Sequence, residues 1–349
     1  MRTLCSKRRI LGAGVSFFVT AIVLALISPF AHSQPLPNQS TDDMAVTAQA
    51  PPLPNIRSGQ QGIDPAGYWT EEKMRNAIPA DDAITEDEQK SSVDRNNGNN
   101  GNDNNNGSSG EIMQGKDVTQ PSAPLESDQQ SSSGANVPTN VGKVFYTYRG
   151  SNYVCSGSAI NSPNKSVVST AAHCVHDGAH QGWHTNIAFA PAYYNGVSRY
   201  GLWNWNNAIT FKEWINNSDN SRDQAFFTVH NRNGRSLVNT VGGNGLSYNF
   251  GQRQNNVRIW GWPTDPPYTG RVPHYCEGKT YKRFQWSSDM RMECGMGSGA
   301  SGGPWLISRT DANRGQVFGV TSRRTGSGTP NVLSTPFDDA VAKIFKDIG

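Results

Sequence analysis

The chain is short of charge and of thiols. Asp, Glu, Lys and Arg together make up 17% of its 349 residues, and there are five cysteines. No two of them stand in the CxxC spacing of a compact thiolate metal site, and no His-Glu-x-x-His run offers a metalloprotease helix. Basic and aromatic residues do not interleave as a nucleic-acid surface requires, so nucleic acid is not an expected partner. One apolar run is long: Ile10 to Ile27 follows Arg2, Lys7, Arg8 and Arg9 and leads into Pro29 and Ala31-His32-Ser33. That order makes residues 1–33 a secretory signal peptide, cleaved after Ser33, which leaves no membrane contact behind. The run is nearly long enough for an uncleaved anchor; Pro29 and the small residues at the cleavage position favour export.

Residues 34–136 have little to build a core from. Proline is dense at Pro35, Pro37, Pro51, Pro52 and Pro54, and Asn96 to Asn106 is almost wholly asparagine and glycine. Such a composition buries too little apolar surface to offset the entropy of ordering. Ser58 to Lys90 has more substance, with Tyr68, Trp69, Met74 and Ile78 as helical contacts, whereas Ser91 to Asn136 reads as a disordered linker. Charge divides at the same place: residues 34–136 carry 16 acidic and 6 basic side chains, net −10, and residues 137–349 carry 12 and 21, net +9. An acidic prosegment docking against its own basic domain fits this asymmetry; an acidic tail that only aids solubility is the alternative.

Beyond Pro138 the pattern changes to short apolar or alternating runs, such as Val144 to Tyr148, Ser158 to Ile160 and Val167 to Ser169, separated by turn residues. That rhythm belongs to an all-β sandwich or barrel. Export removes Cys5, and the remaining Cys155, Cys174, Cys276 and Cys294 are expected to form two disulfides, with three connectivities possible. Near the end lies Cys294-Gly-Met-Gly-Ser-Gly-Ala-Ser-Gly-Gly303, a hydroxyl among five glycines in ten residues. Glycines permit unusual turns and leave amides accessible to a bound oxygen. Ser301 is therefore the candidate nucleophile, with its own amide and that of Gly299 as the oxyanion hole.

Gly299-Ala300-Ser301-Gly302-Gly303-Pro304 resembles the nucleophile loop of chymotrypsin-like serine peptidases, and Thr170-Ala171-Ala172-His173-Cys174 resembles their catalytic histidine segment. The two stand in the family's order, 128 residues apart. The resemblance runs from about Val144 to the C-terminus and is nearest to the secreted microbial branch that includes glutamyl endopeptidases. It implies two packed six-stranded antiparallel barrels with a C-terminal helix, a cleft between them, and a trypsin-like domain over residues 137–349. Asp223, before the apolar run Ala225 to Val229, matches the family's aspartate segment; Asp219 is the second choice.

The roles follow from that resemblance. His173 acts as base and acid, Asp223 orients it, and Ser301 forms an acyl-enzyme with protein or peptide substrates. Chain order favours Cys155 with Cys174 and Cys276 with Cys294, and the first pair resembles the family's bridge beside the histidine. Ser322 would approach the substrate backbone, and Arg323 and Arg324 beside it could attract acidic substrate residues, although adjacent arginines in a loop more often face solvent. Thr321 occupies the place where glutamyl endopeptidases carry histidine, which argues against assigning glutamate specificity. Ala300 stands where trypsin has the aspartate that pairs with the new N-terminus, so activation by that insertion is not expected.

No cofactor is implied, and the expected form is a secreted monomer made as a zymogen. Two rival readings remain: a metal site from His173, His176, His180 and His184, and a catalytically inactive binding protein on the same barrels. Thr335 as cap, Pro336 in the first turn and Val341, Ile344, Phe345 and Ile348 on one face predict the terminal helix.

Overall fold

The structure, a computed structural model, describes residues 36–38, 44–53, 67–80, 114–125, 137–179, 181–325 and 330–349. The expected signal peptide, the Asn96 to Asn106 run and His180 lie outside the described residues. Among the described residues no helix is long and apolar enough to cross a membrane.

Among the described residues four short strands precede residue 137: β1 (Leu36–Asn38), β2 (Ala45–Gln49), β3 (Ile78–Pro79) and β4 (Lys116–Thr119). The first barrel follows as β5 (Val141–Tyr148), β6 (Ser151–Ile160), β7 (Val167–Thr170), β8 (Thr185–Pro191), a small hairpin of β9 (Tyr193–Tyr194) and β10 (Val197–Ser198), then β11 (Trp203–Phe211) and β12 (Ala225–Val229). Arg149 and Gly150 join β5 to β6 with φ of 47° and 79°. Two left-handed residues make the tight turn whose twist matches the strands it connects. Pairing runs β11-β12-β7-β6-β5-β8, and β8 returns to β11 through Trp203 opposite Phe189, so six strands close on themselves. Inside pack Val144, Phe189, Trp203, Trp205 and Phe227, all buried.

The second half contains β13 (Gly245–Tyr248), β14 (Val257–Gly261), β15 (His274–Gly278), β16 (Tyr281–Lys282), β17 (Met290–Glu293), β18 (Pro304–Ile307), β19 (Gln316–Val320), β20 (Arg323–Arg324) and β21 (Asn331–Ser334). It forms two sheets, β15-β14-β18-β19-β13-β4 and β16-β17-β21-β20, around Val257, Ile259, Met292, Trp305, Phe318 and Val332. The pairing is antiparallel except for a short parallel contact between β13 and β19. Two disulfides cross the strands, Cys155–Cys174 and Cys276–Cys294. A third apolar cluster, including Val141, Phe145, Trp260, Trp262 and Leu306, joins the halves.

One local expectation changes at the C-terminus. The terminal helix spans Asp339–Ile348 and is capped by Asp338, which accepts from Val341 N at 3.1 Å, not by Thr335. Phe337 is held in extended backbone because its N–H donates to Phe318 O and its carbonyl accepts from Asn249 N, each at 2.7 Å. The helix can start only after those strand-like bonds end. Its Val341, Ile344 and Phe345 are buried against the barrels.

Within residues 34–136 the described pieces belong to the barrels. β2 lies along β11, β3 beside β6 and β4 along β13. Of the expected helical contacts, Trp69 and Met74 are buried, Ile78 is exposed, and the helix is only Glu71–Arg75. Average composition hid these patches because each is a few residues long.

Candidate active site

Strand register brings the first two site residues together. β12 pairs antiparallel with β7, with Ala225 opposite Thr170. The residues just before β12 therefore lie beside those just after β7, where a single 3₁₀ turn, Ala172–Cys174, carries His173. The Cys174 bridge to Cys155 on β6 ties this turn down. His173 Nδ1 stands 2.9 Å from Asp223 Oδ2, and His173 N donates to Asp223 Oδ1 at 3.0 Å. Ser322 Oγ donates to Asp223 Oδ2 at 2.6 Å.

Burial pushes the Asp223 carboxyl upward, but the His173 charge and the bonds from His173 and Ser322 outweigh it, and the net shift is downward. A carboxylate on Nδ1 fixes the tautomer and leaves Nε2 for acid–base work. The Trp214 ring lies behind, 6.3 Å from the imidazole centroid. Asp219 is engaged elsewhere, capping the turn Asn220–Arg222 through Ser221 N at 2.8 Å.

The Ser301 loop is locked against the histidine segment. A Cβ on Gly302 would fall 2.1 Å from Thr170 Oγ1 and 3.0 Å from Ala171 N, so only glycine lets the two motifs meet. Ser156, next to bridged Cys155, donates from its N to Ser301 O at 2.7 Å and from its Oγ to Gly299 O at 2.9 Å. Gly299 has φ of 87°, and a Cβ there would meet Trp262 O at 2.8 Å. Just before it, Ser298 O accepts from Thr264 N at 2.8 Å and Thr264 Oγ1 at 2.9 Å, while Ser298 N donates to Asp265. The peptide leading into Gly299 is held on both edges.

A family model described as Trypsin matches residues 132–344. The chain belongs to the trypsin family and is a serine endopeptidase. Among solved structures it is similar to the protease Anisep from Arthrobacter nicotinovorans, with 31% identity and a TM-score of 0.57 over 61% of this chain and 97% of that one. It is also similar to the thermostable serine protease AL20 from an extremophilic microorganism, with 28% identity and a TM-score of 0.57 over 60% of this chain and 96% of that one. No curated protein matches the chain.

This trypsin-family domain has alanine, Ala300, directly before Ser301. Ala300 is fully buried, and a Cβ added to Gly261 would lie only 2.9 Å from the Ala300 Cβ. The cavity beside Ser301 is lined by Met296, Gly297, Thr321, Arg323, Arg324 and Val332. Thr321 Oγ1 is taken by Trp305 Nε1 at 3.0 Å. Arg323 pairs with buried Asp289 at 2.6 Å and donates to Ser322 Oγ at 3.1 Å, while Arg324 pairs with Asp265. Each arginine at the cavity thus has a carboxylate partner. Sequence reasoning missed Asp265 and Asp289, since neither adjoins a motif.

Of the other histidines in the rival metal set, His176 and His184 have structural positions. His176 Nδ1 accepts from Gly178 N at 3.0 Å, and the His184 ring stacks on Tyr146 at 4.1 Å. Burial lowers their pKa values to about 4 and about 3. One close group offers metal-ligand atoms among the described residues, Cys155, His173 and Cys174, and both of its sulfurs are in the disulfide.

Proposed function

We propose that the protein is an exported endopeptidase that cleaves protein and peptide substrates through a Ser301-His173-Asp223 triad and an acyl-enzyme. His173 Nε2 takes the proton of Ser301 Oγ as the oxygen attacks the peptide carbonyl. Asp223 stabilises the imidazolium, and the amides of Gly299 and Ser301 hold the oxyanion. The imidazolium then protonates the leaving amine, and water releases the acyl group by the same route in reverse. The substrate backbone would run along Thr321, Ser322 and Arg323.

The observation that carries this reading is the His173 Nδ1 contact of 2.9 Å with buried Asp223, with Ser322 donating to the same carboxylate. Such a carboxylate has little purpose beside an imidazole unless that imidazole is to become charged. Residues 1–33 as a signal and two disulfides agree with export into an oxidising compartment. Treating the full chain and its Ser301→Ala variant with a fluorophosphonate tests the mechanism. Labelled Ser301, with peptide cleavage lost in the variant, is expected; folded protein that neither labels nor cleaves would make it a binding protein on these barrels.

A further inference from the structure

We propose that the N-terminal segment is a permanent structural part of the peptidase, held on the barrels as wall and core, and not an inhibitor that departs. The proposal rests on the reading above only in treating the barrels as those of a peptidase.

The first barrel uses this segment as wall and as core. β2 is matched to β11 over five residues, from Ala45 opposite Phe211 to Gln49 opposite Asn207. The ladder continues past both ends, with Lys212 N donating to Met44 O at 3.0 Å and Ala50 N to Asn206 O at 2.7 Å. Trp69 and Met74, 3% and 1% exposed, belong to the same apolar cluster as Phe145, Tyr193 and Leu202. The Trp69 ring is 5.3 Å from that of Phe145, and its Nε1 donates to Asn186 O at 2.7 Å. A peptide that leaves after cleavage would uncover this aromatic core and a strand edge together, which folded proteins avoid.

The second barrel is shaped for the segment too. β4 pairs with β13, and Ser122 and Gly243 exchange both backbone bonds at 2.9 and 2.8 Å. Asp117 accepts from Ser247 Oγ at 2.9 Å, and Leu125 N donates to Asn239 O at 3.0 Å. A Cβ on Gly245 would sit 2.5 Å from Thr119 O, so this barrel strand needs glycine where the segment approaches. One peptide held on two barrels dissociates far less readily than either contact alone would. The cavity beside Ser301, in contrast, is lined only by residues from Met296 onward, and no described N-terminal residue enters it.

The test places a site for a sequence-specific protease within residues 126–136 of the full-length chain. The cut protein is then compared with the uncut by gel filtration, native mass spectrometry, melting, and turnover of a peptide substrate. The N-terminal fragment should co-elute with the barrels, melting should remain a single transition, and turnover should agree with the uncut protein within about twofold. Trp69→Ala in the cut protein should release the fragment or lower the melting temperature by about 10 °C. A fragment that separates from barrels with unchanged melting would overturn the proposal, as would a tenfold rise in turnover on cutting. Co-elution and melting do not depend on catalysis, so they report even if Ser301 proves inert.

Discussion

Ser322 Oγ donates to Asp223 Oδ2 at 2.6 Å, so the segment that borders the cavity beside Ser301 also holds the carboxylate paired with His173. Arg323, anchored on Asp289, donates to the same hydroxyl and orients it. Asp223 is thus kept ionised in a buried place by bonds from two barrels.

Replacing the charge should cost more than replacing one of its bonds. Asp223→Asn keeps the shape but favours the wrong imidazole tautomer, and kcat should fall on the order of 10⁴-fold with KM little changed. Steady-state kinetics on a peptide substrate, alongside circular dichroism to verify folding, checks this. A loss below tenfold would count against Asp223 as the orienting acid.

Ser322→Ala should show itself in acid. A carboxyl with a lowered folded pKa adds stability above its unfolded value near 3.8, and loses it as pH falls through the lower folded value. Removing the Ser322 bond raises that folded value, so acid unfolding should begin at higher pH than in the parent. An unchanged acid midpoint would mean that the hydroxyl does not stabilise the carboxylate.

His184 acts over a higher pH window by another route. Burial lowers its pKa from 6.5 to about 3, so between those values the unfolded chain binds a proton that the folded chain refuses. Stability therefore falls as pH drops through that window. His184→Phe keeps a ring on Tyr146 and removes the proton, so its melting temperature should fall less between pH 7 and 4 than the parent's.

Lys143 gives the opposite limb. Its Nζ is buried, donates to Gly270 O at 2.9 Å, and has its pKa lowered by burial from 10.5 to about 7. Below about 7 the charge is carried inside at full cost, and from there to 10.5 the cost fades as the folded state stays neutral. Lys143→Met should be more stable than the parent at pH 6, by at most roughly 5 kcal/mol, less whatever the Gly270 carbonyl loses. The gain should shrink towards pH 10. Denaturant unfolding at the two pH values measures it.

The features legible in the sequence were local ones. The glycine run around Ser301, the segment around His173 and the alternating apolar runs each announce themselves within a few residues, because turn geometry and strand burial constrain neighbouring positions. Asp223 over Asp219 was legible through the strand that follows it, yet the register of Ala225 on Thr170 is what brings its carboxylate to the imidazole. Tertiary structure alone decided the rest. Asp265 and Asp289 matter through arginines 59 and 34 positions away, the helix start moved because Phe337 is bound to β19, and Trp69 finds its core among rings more than seventy residues on. Such contacts leave no periodic trace, since each depends on where distant strands bring two side chains and not on the residues beside them.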